Sequence, residues 1–260
     1  MIKIKQTLCV AGIAAVLFLA GCLPSGKIKT PDLPDDRLIF SQAQQALDAR
    51  DFPDTAELLE IFLREFPESK QYSWGLQRMG EAMQGLLQTQ YLRPIENGQD
   101  ETTTRKAFLS TYETYACWLT DNTRLTYDGS HYRKLLKDDP DSNIADEAAY
   151  RLALLRSDPQ AQPEKIEQEV QDLGRVLERY PATSFRYEIL YMMAYRYHQL
   201  YEHYAYSNRS GTTNRAEAHH YKEQAVYLYS LALKSPRHSL FAEKAWQNLR
   251  DLEDGRRIFP

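Results

Sequence analysis

The sequence predicts an all-α fold, an α-solenoid of about four helix pairs followed by a terminal helix. The first observation is hydrophobic periodicity, because apolar residues recur at steps of three and four along nearly the whole chain. The clearest such stretch consists of Ile166, Val170, Leu173, Val176, Leu177 and Tyr180. The second observation is that no stretch shows the sustained alternation, or the enrichment in valine, isoleucine and threonine, that is typical of a strand. The third is a series of prolines, each followed by a serine, at the places where helices are expected to end, which divides the helices into units.

Prolines stand at four places where a helix is expected to end. Each is followed within two or three residues by a serine, which can cap the next helix by accepting a bond from an unpaired backbone N–H. The pairs are Pro67 and Ser69, Pro140 and Ser142, Pro181 and Ser184, and Pro236 and Ser239. Successive prolines are 73, 41 and 55 residues apart. These intervals fit a repeat of about 34 residues with one doubled interval and inserted loops.

This punctuation predicts the helix pairs in order. We expect 38–49 with 54–66, 72–89 with 102–120, 144–156 with 164–179, and 185–206 with 215–234, before a terminal helix at 240–252. Small residues are expected where paired helices approach closely, namely Ala46, Ala56, Gly80, Ala148 and Ala149. Ala245 and Trp246 are expected to cover the end of the array. The segments 93–101 and 122–141 are rich in Asn, Asp, Gly and Thr, which predicts surface loops.

The N-terminus has the order of charge and apolar residues that is typical of an export signal. Lys3 and Lys5 precede an apolar run at 8–19, which is too short to span a membrane. The run ends in Leu19-Ala20-Gly21-Cys22, which resembles the bacterial lipobox. This resemblance implies a signal peptide at 1–21, cleaved after Gly21, and a lipidated Cys22. The alternative is a plain secretory signal with an incidental cysteine.

The residue after Cys22 bears on the membrane in which the protein is held. In lipoproteins of this kind an aspartate at that position retains the protein in the inner membrane, and here the residue is Leu23. The resemblance therefore implies attachment to the outer membrane, on its periplasmic face, through acyl chains. The segment 22–36 carries several prolines and no apolar periodicity, so we expect a flexible tether. The helical domain is then 37–260.

Charge and cysteine content exclude several classes of protein. The formal net charge is −4, and loss of Lys3 and Lys5 with the signal makes it two units more negative. No Lys/Arg-rich block that would neutralise phosphates is present, so a nucleic-acid partner is not expected. After lipidation of Cys22, Cys117 would be the one free cysteine of the mature chain. Because it lies in an apolar stretch that we interpret as helical, we expect a buried, unreactive thiol and no internal disulfide.

The sequence carries no recognisable catalytic or metal-binding motif. Gly75, Gly80 and Gly85 lack the lysine of a phosphate-binding loop, which favours helix-packing glycines. The spacings of the histidines do not match a zinc-protease pattern, and solvated or capping roles are the alternative that we favour. These histidines are His198, His203, His219 and His220. We therefore expect no catalytic residue, no metal site and no cofactor, hence no enzyme.

The first helix pair resembles a known family. The matching residues are Ala43-Gln44-Gln45-Ala46-Leu47, the turn Asp51-Phe52-Pro53, then Ala56, Leu59, Phe62 and Phe66-Pro67, with a second match at 176–181 followed by Ser184. With the lipobox, these segments are similar to the BamD group of tetratricopeptide (TPR) lipoproteins, and the residues between Leu92 and Asn143 show no correspondence. The resemblance implies a TPR-like α-solenoid that serves as a non-catalytic scaffold in the outer-membrane β-barrel assembly machinery.

The predicted helix 185–206 is unusually rich in tyrosine. Steps of four place Tyr187, Tyr191 and Tyr195 on one face, and Tyr197, Tyr201 and Tyr204 fall on another. Since both faces cannot easily be core, one row could line the concave groove of the solenoid and bind a partner together with Arg186 or Arg196. The alternative is that these rings pack between repeats with their hydroxyls at the edge.

The sequence and the resemblance are compatible with two classes of function. The first is a non-catalytic scaffold lipoprotein of an envelope complex, for outer-membrane protein assembly or a related secretion or pilus apparatus. The second is a periplasmic accessory lipoprotein that binds a peptide or peptidoglycan and regulates a cell-wall enzyme. In both cases the partners are envelope components, and the membrane is reached through the lipid anchor.

Overall fold

The computed structural model describes residues 35–121, 124–155, 162–206, 214–235 and 240–259. The predicted signal peptide 1–21, the lipidation site Cys22 and all but the last two residues of the predicted tether 22–36 lie outside these ranges. Of those two residues, Asp35 caps a helix and Asp36 is its first residue. The Asp35 carboxylate accepts a hydrogen bond from the Arg37 N–H, and the helix begins at Asp36. An aspartate at this position offsets the unpaired donors of the first turn.

The first helix pair is α1 (Asp36–Asp48) and α2 (Phe52–Glu65), as predicted within a few residues. The Asp51 carboxylate caps α2 by accepting a bond from the Asp54 N–H. Arg50 turns the chain between the helices in a left-handed conformation, with φ of 59°. The small residues at the core are Ala43 and Ala56, both buried, and the predicted Ala46 is only half-buried.

The second predicted pair, 72–89 with 102–120, is wrong in its second helix. The helix α3 (Tyr72–Leu86) continues through a π-helical turn at Leu87–Leu92 into α4 (Arg93–Glu96), inside the predicted loop 93–101. The next helix, α5 (Glu101–Tyr112), is followed by a single 3-10 turn and an antiparallel hairpin of β1 (Trp118–Asp121) and β2 (Arg124–Tyr127). Cys117 lies directly before β1 rather than in a helix.

The hairpin carries aromatic rings into the core beside α5. Trp118 pairs with Tyr127 across the two strands, and its ring lies 4.9 Å from that of Phe108 in an edge-on contact. Tyr127 and Phe108 are buried. Burial of large rings stabilises a two-stranded hairpin that would be marginal in water.

The helix that packs on α3 is α6 (Ser130–Asp138), which lies in the predicted loop 122–141. Gly80 is a point of close approach, as predicted, but the helix that it contacts is α6. A Cβ at Gly80 would lie 2.5 Å from the Tyr132 ring, and that ring is fully buried. The close contact between the two helices therefore requires glycine at this position.

The remaining helices follow the predicted boundaries closely. They are α7 (Ala145–Leu154), α8 (Pro163–Arg179), α9 (Arg186–Tyr206), α10 (Arg215–Ala232) and α11 (Leu240–Glu253). Ala148 is fully buried and Ala149 is half-buried. At the end of the series Ala245 is buried as expected, whereas Trp246 is 55% exposed with the Arg250 guanidinium over its ring.

Most helices pack against the next helix along the chain, except that α3 packs against α6. Contacts run from α1 to α2, α2 to α3, α3 to α6, and then successively from α6 to α11. The core has three parts, one around α1 to α3, the hairpin and α6, one between α7, α8 and α9, and one between α9, α10 and α11. The all-α prediction is thus confirmed apart from the hairpin. Among the described helices, none combines the length and the apolar character needed to cross a bilayer.

Candidate partner-binding surfaces

Tyr191, a predicted partner-binding residue, lies in the core. Its side chain is 8% exposed, and its ring centre is 6.2 Å from that of Tyr229 and 5.8 Å from that of Phe241. The Asn248 amide donates to its hydroxyl at 3.3 Å. Tyr191 is therefore enclosed by α9, α10 and α11 and has little surface left for a partner.

The other predicted partner-binding residues are more accessible than Tyr191, but they do not form a continuous exposed row along α9. Tyr187 is half-buried, and Tyr195 is half-buried with its ring 4.9 Å from that of Phe259. Arg186 is exposed and donates to the Pro181 carbonyl at 3.4 Å. Binding of a partner by Tyr187, Tyr195 and Arg186 stays a prediction.

The second tyrosine row is also packed. Tyr197 and Tyr204 stack on Tyr221 of α10, with ring centres 6.0 and 5.4 Å away. Because α9 has α8 on one side and α10 and α11 on the other, two of its faces are covered at once. Rings of both rows therefore pack between helices, as in the alternative interpretation, and of these six tyrosines only Tyr191 is buried.

Arg196, considered as a second basic residue of the groove, is buried and only 2% exposed. Its Nε lies 3.1 and 3.0 Å from the two carboxylate oxygens of Glu169, which is 1% exposed. Its Nη1 donates to the Gln199 side-chain oxygen at 2.7 Å. Arg196 thus joins α9 to α8 through a buried ion pair and is not available to a partner.

The histidines differ from one another in their surroundings. His198 is fully buried, so the expected solvated or capping role is wrong for it, and its Nδ1 is 3.4 Å from the Tyr229 hydroxyl. His203, His219 and His220 are exposed, as expected for solvated residues. Over the ranges that the structure describes, no three His, Cys, Asp or Glu side chains are grouped so that they could hold a metal ion.

Cys117 and the glycines of α3 have the structural roles that the sequence favours. Cys117 is 1% exposed, and burial raises the pKa of its thiol to about 12, so the reactive thiolate is disfavoured. Gly75 lies within helix α3, where a Cβ would come 2.7 Å from the Phe62 ring. At Gly85 a Cβ would collide with the Phe52 ring. These are close helix contacts rather than a phosphate-binding loop.

An open cleft of about 510 Å³ lies between α1, α3 and α7. Its lining is mostly polar and comes from the three helices, the turn after α1 and the first residue of α2. The lining residues are Gln44, Leu47, Asp48, Arg50, Phe52, Arg78, Glu81, Gln84 and Arg151. The Gln84 amide is held by a 2.7 Å bond to the Tyr132 hydroxyl. The helices α1, α3 and α7 are the first members of successive pairs once α6 is taken as the partner of α3.

A network of charges connects α3 with α7 at this cleft. The Arg78 Nη1 donates to both Glu81 oxygens at 3.1 and 3.0 Å, and its guanidinium stacks 5.4 Å from the Trp74 ring centre. Arg151 donates to Glu147 at 2.9 and 2.8 Å and lies 3.5 Å from Glu81. These contacts hold the long side chains in fixed positions, so the cleft presents ordered hydrogen-bonding groups.

Neither a search against protein-family models nor a search against curated proteins finds a match for this chain.

Proposed function

We propose that this protein is a non-catalytic scaffold lipoprotein of a bacterial envelope complex. The complex that we favour is the one for outer-membrane protein assembly, and a secretion or pilus apparatus is a related candidate. Its helical domain is a TPR-like α-solenoid in which the pairs are α1 with α2, α3 with α6, α7 with α8, and α9 with α10, and α11 is terminal. The cleft between α1, α3 and α7 is the observation that carries the proposal. In a solenoid, the first helices of successive pairs line one surface, and an extended partner can bind along it.

The partner that this cleft would take is a polar protein segment. The lining carries guanidinium groups from three arginines and carboxylates from Asp48 and Glu81, and the Gln44 and Gln84 amides offer both donors and acceptors. Side chains already ordered by Glu81, Glu147 and Trp74 lose little rotamer entropy on binding. The cleft therefore favours recognition by hydrogen bonds over burial of a large apolar surface.

Cross-linking in cells tests the cleft and its partner. A photo-activatable residue at Gln44, half-buried in α1 and lining the cleft, is expected to form covalent products with a component of outer-membrane protein assembly. Gln168 is the matched control, because it is an exposed glutamine of α8, a second helix of its pair. The products are identified after detergent extraction of outer membranes.

Two results of that experiment contradict the proposal. Equal products from Gln44 and Gln168 mean that the cleft is not the binding surface. Products with peptidoglycan or a cell-wall enzyme from Gln44 favour the alternative function, an accessory lipoprotein that binds peptide or peptidoglycan and regulates such an enzyme.

Membrane attachment is tested by Cys22→Ala. If attachment comes from acyl chains, this variant is expected to fold normally but to appear in the soluble periplasmic fraction, because each buried methylene contributes about 0.8 kcal/mol to membrane binding and all of them are lost. Fractionation with immunodetection measures the shift, and Leu23→Ala, which keeps the cysteine, is the control. Retention of Cys22→Ala on membranes washed at high salt would rule out the lipid as the anchor.

A further inference from the structure

The chain beyond α11 turns back onto α9. The helix is closed by bonds from the Asp254 N–H to the Arg250 carbonyl and from the Arg256 N–H to the Asp251 carbonyl. Gly255 lies between them in a left-handed conformation, with φ of 71°. Such a glycine ends a helix and reverses the chain direction without strain. Residues 256–259, here called the tail, are thereby directed toward α9.

Glu202 of α9 binds the backbone of the tail. The Ile258 N–H donates to one carboxylate oxygen at 2.7 Å, and the Phe259 N–H donates to the other at 3.1 Å. Glu202 is only 3% exposed, so these are charge-assisted bonds in a place that water hardly reaches. Backbone donors are common to all residues except proline, so this contact recognises an extended chain rather than a particular side chain.

Side chains on both sides of Glu202 supply selectivity. The Phe259 ring centre lies 4.9 Å from that of Tyr195 and 5.9 Å, edge-on, from that of His198. The Arg257 guanidinium lies 5.2 Å from the ring centre of Tyr206 and 3.7 Å from the Glu202 carboxylate. We call Tyr195, His198, Glu202 and Tyr206 the tail site. It combines an aromatic pocket, a carboxylate and a ring that can receive a cation.

The tail site needs an occupant. Burial raises the pKa of Glu202, but the His198 imidazole, whose Nε2 lies 3.3 Å away, and hydrogen bonds from the backbone of Ile258 and Phe259 outweigh it and hold the pKa below its usual 4.5. Loss of the tail would remove two of these donors from the Glu202 carboxylate. Since unpaired buried carboxylates are costly, another extended chain with the same donors would bind favourably.

The tail can leave without unfolding a helix. The buried apolar residues of α11, Ala245 and Leu252, lie before Gly255, and a Cβ at Gly255 would meet no atom within 4 Å. Arg257 is exposed, and Ile258 and Phe259 are half-buried. The contacts of the tail with α9 come from three residues, none of them fully buried, and the tail follows an exposed glycine, so it can open locally.

We infer that the tail site is a second protein-binding site, for an extended segment with a basic, an apolar and an aromatic residue in succession, and that the chain's own Arg257-Ile258-Phe259 occupies it as a displaceable internal ligand. A partner protein with such a segment competes with the tail for this site. This competition lowers the apparent affinity of the site for the partner. This inference is independent of the cleft between α1, α3 and α7.

A labelled peptide with the sequence of residues 254–260 tests the inference by fluorescence anisotropy on the full-length protein in detergent. A variant that ends at Gly255 is expected to bind the peptide at least about tenfold more tightly than the complete chain, because a short tether gives the tail a local concentration in the millimolar range. Phe259→Ala in the complete chain is also expected to raise the affinity for the labelled peptide. If the shortened chain does not fold, this variant decides the test.

Matched controls separate a binding site from a structural contact. In the shortened chain, Glu202→Gln keeps the size of the side chain but removes its charge, and should weaken peptide binding by about tenfold. A peptide with alanine in place of the aromatic residue should bind as weakly. Equal binding to shortened, Phe259→Ala and complete chains, or no binding to a folded variant at millimolar peptide, would overturn the inference and make the tail a purely structural segment.

Discussion

Replacing Arg196 by methionine is expected to lower the free energy of unfolding by about 3–5 kcal/mol. The guanidinium is 2% exposed and bonds to Glu169, which is 1% exposed. Methionine fills much of the same space, so the loss comes from electrostatics and hydrogen bonding rather than from a large cavity. Glu169 then keeps a buried negative charge that its guanidinium no longer offsets. Chemical denaturation followed by circular dichroism measures the change.

The double variant Arg196→Met, Glu169→Met is the informative control. Removing both charges also removes the carboxylate that Arg196 offsets, so much of the lost stability should return. Arg175→Met is a second control, because its ion pair with Asp172 is on the surface and the Arg175 side chain is 63% exposed. A surface pair of this kind contributes at most about 1 kcal/mol. A single Arg196→Met variant as stable as wild type would mean that the pair is not buried in solution.

Ala56→Arg is expected to cost at least about 4 kcal/mol and to unfold the first helix pair. Ala56 is fully buried in α2 and belongs to the same core cluster as Ala43 of α1 and Leu76 of α3. The contact leaves no space for a guanidinium, and no water could follow the charge. A thermal melt measures the loss.

Glu57→Arg is the matched control for Ala56→Arg. It introduces the same side chain one residue further along α2, at an exposed position. Its effect should stay within about 0.5 kcal/mol, as for most surface substitutions. If the two variants melt alike, the helix contact at Ala56 is not the one described.

The boundaries of most helices could be predicted because the signals for them are local. In α8 the apolar residues recur at helical spacing, and Pro163 begins the helix while Tyr180 and Pro181 end it. Asp51 and Pro53 mark the start of α2 in the same way. Each such signal acts within one or two turns of helix, so it can be read from the sequence without knowing the neighbours.

The hairpin and α6 could not be predicted in this way. Each strand has only four residues, too few to show alternation, and α6 has nine residues between segments rich in Asp, Asn and Gly. Both elements are stabilised by distant partners, because Trp118 packs on Phe108 and Tyr132 fills the space left by Gly80. Contacts of this kind override the local preference of the chain.

The sequence by itself determined the helical architecture, the helix ends near Pro67, Pro140 and Pro181, and the burial of residues such as Ala56 and Cys117. It did not determine the caps, because Gln71 and Ile144, and not the expected Ser69 and Ser142, directly precede α3 and α7. Only the tertiary structure decided which polar residues of α9 are accessible. Arg196 is buried because Glu169 lies opposite it from 27 residues away, and Glu202 is enclosed partly by the tail, 56 residues further on. A charged side chain can enter a protein core only where another element supplies its partner. The periodicity of α9 places such residues on a face of the helix, but it contains no information about what packs there.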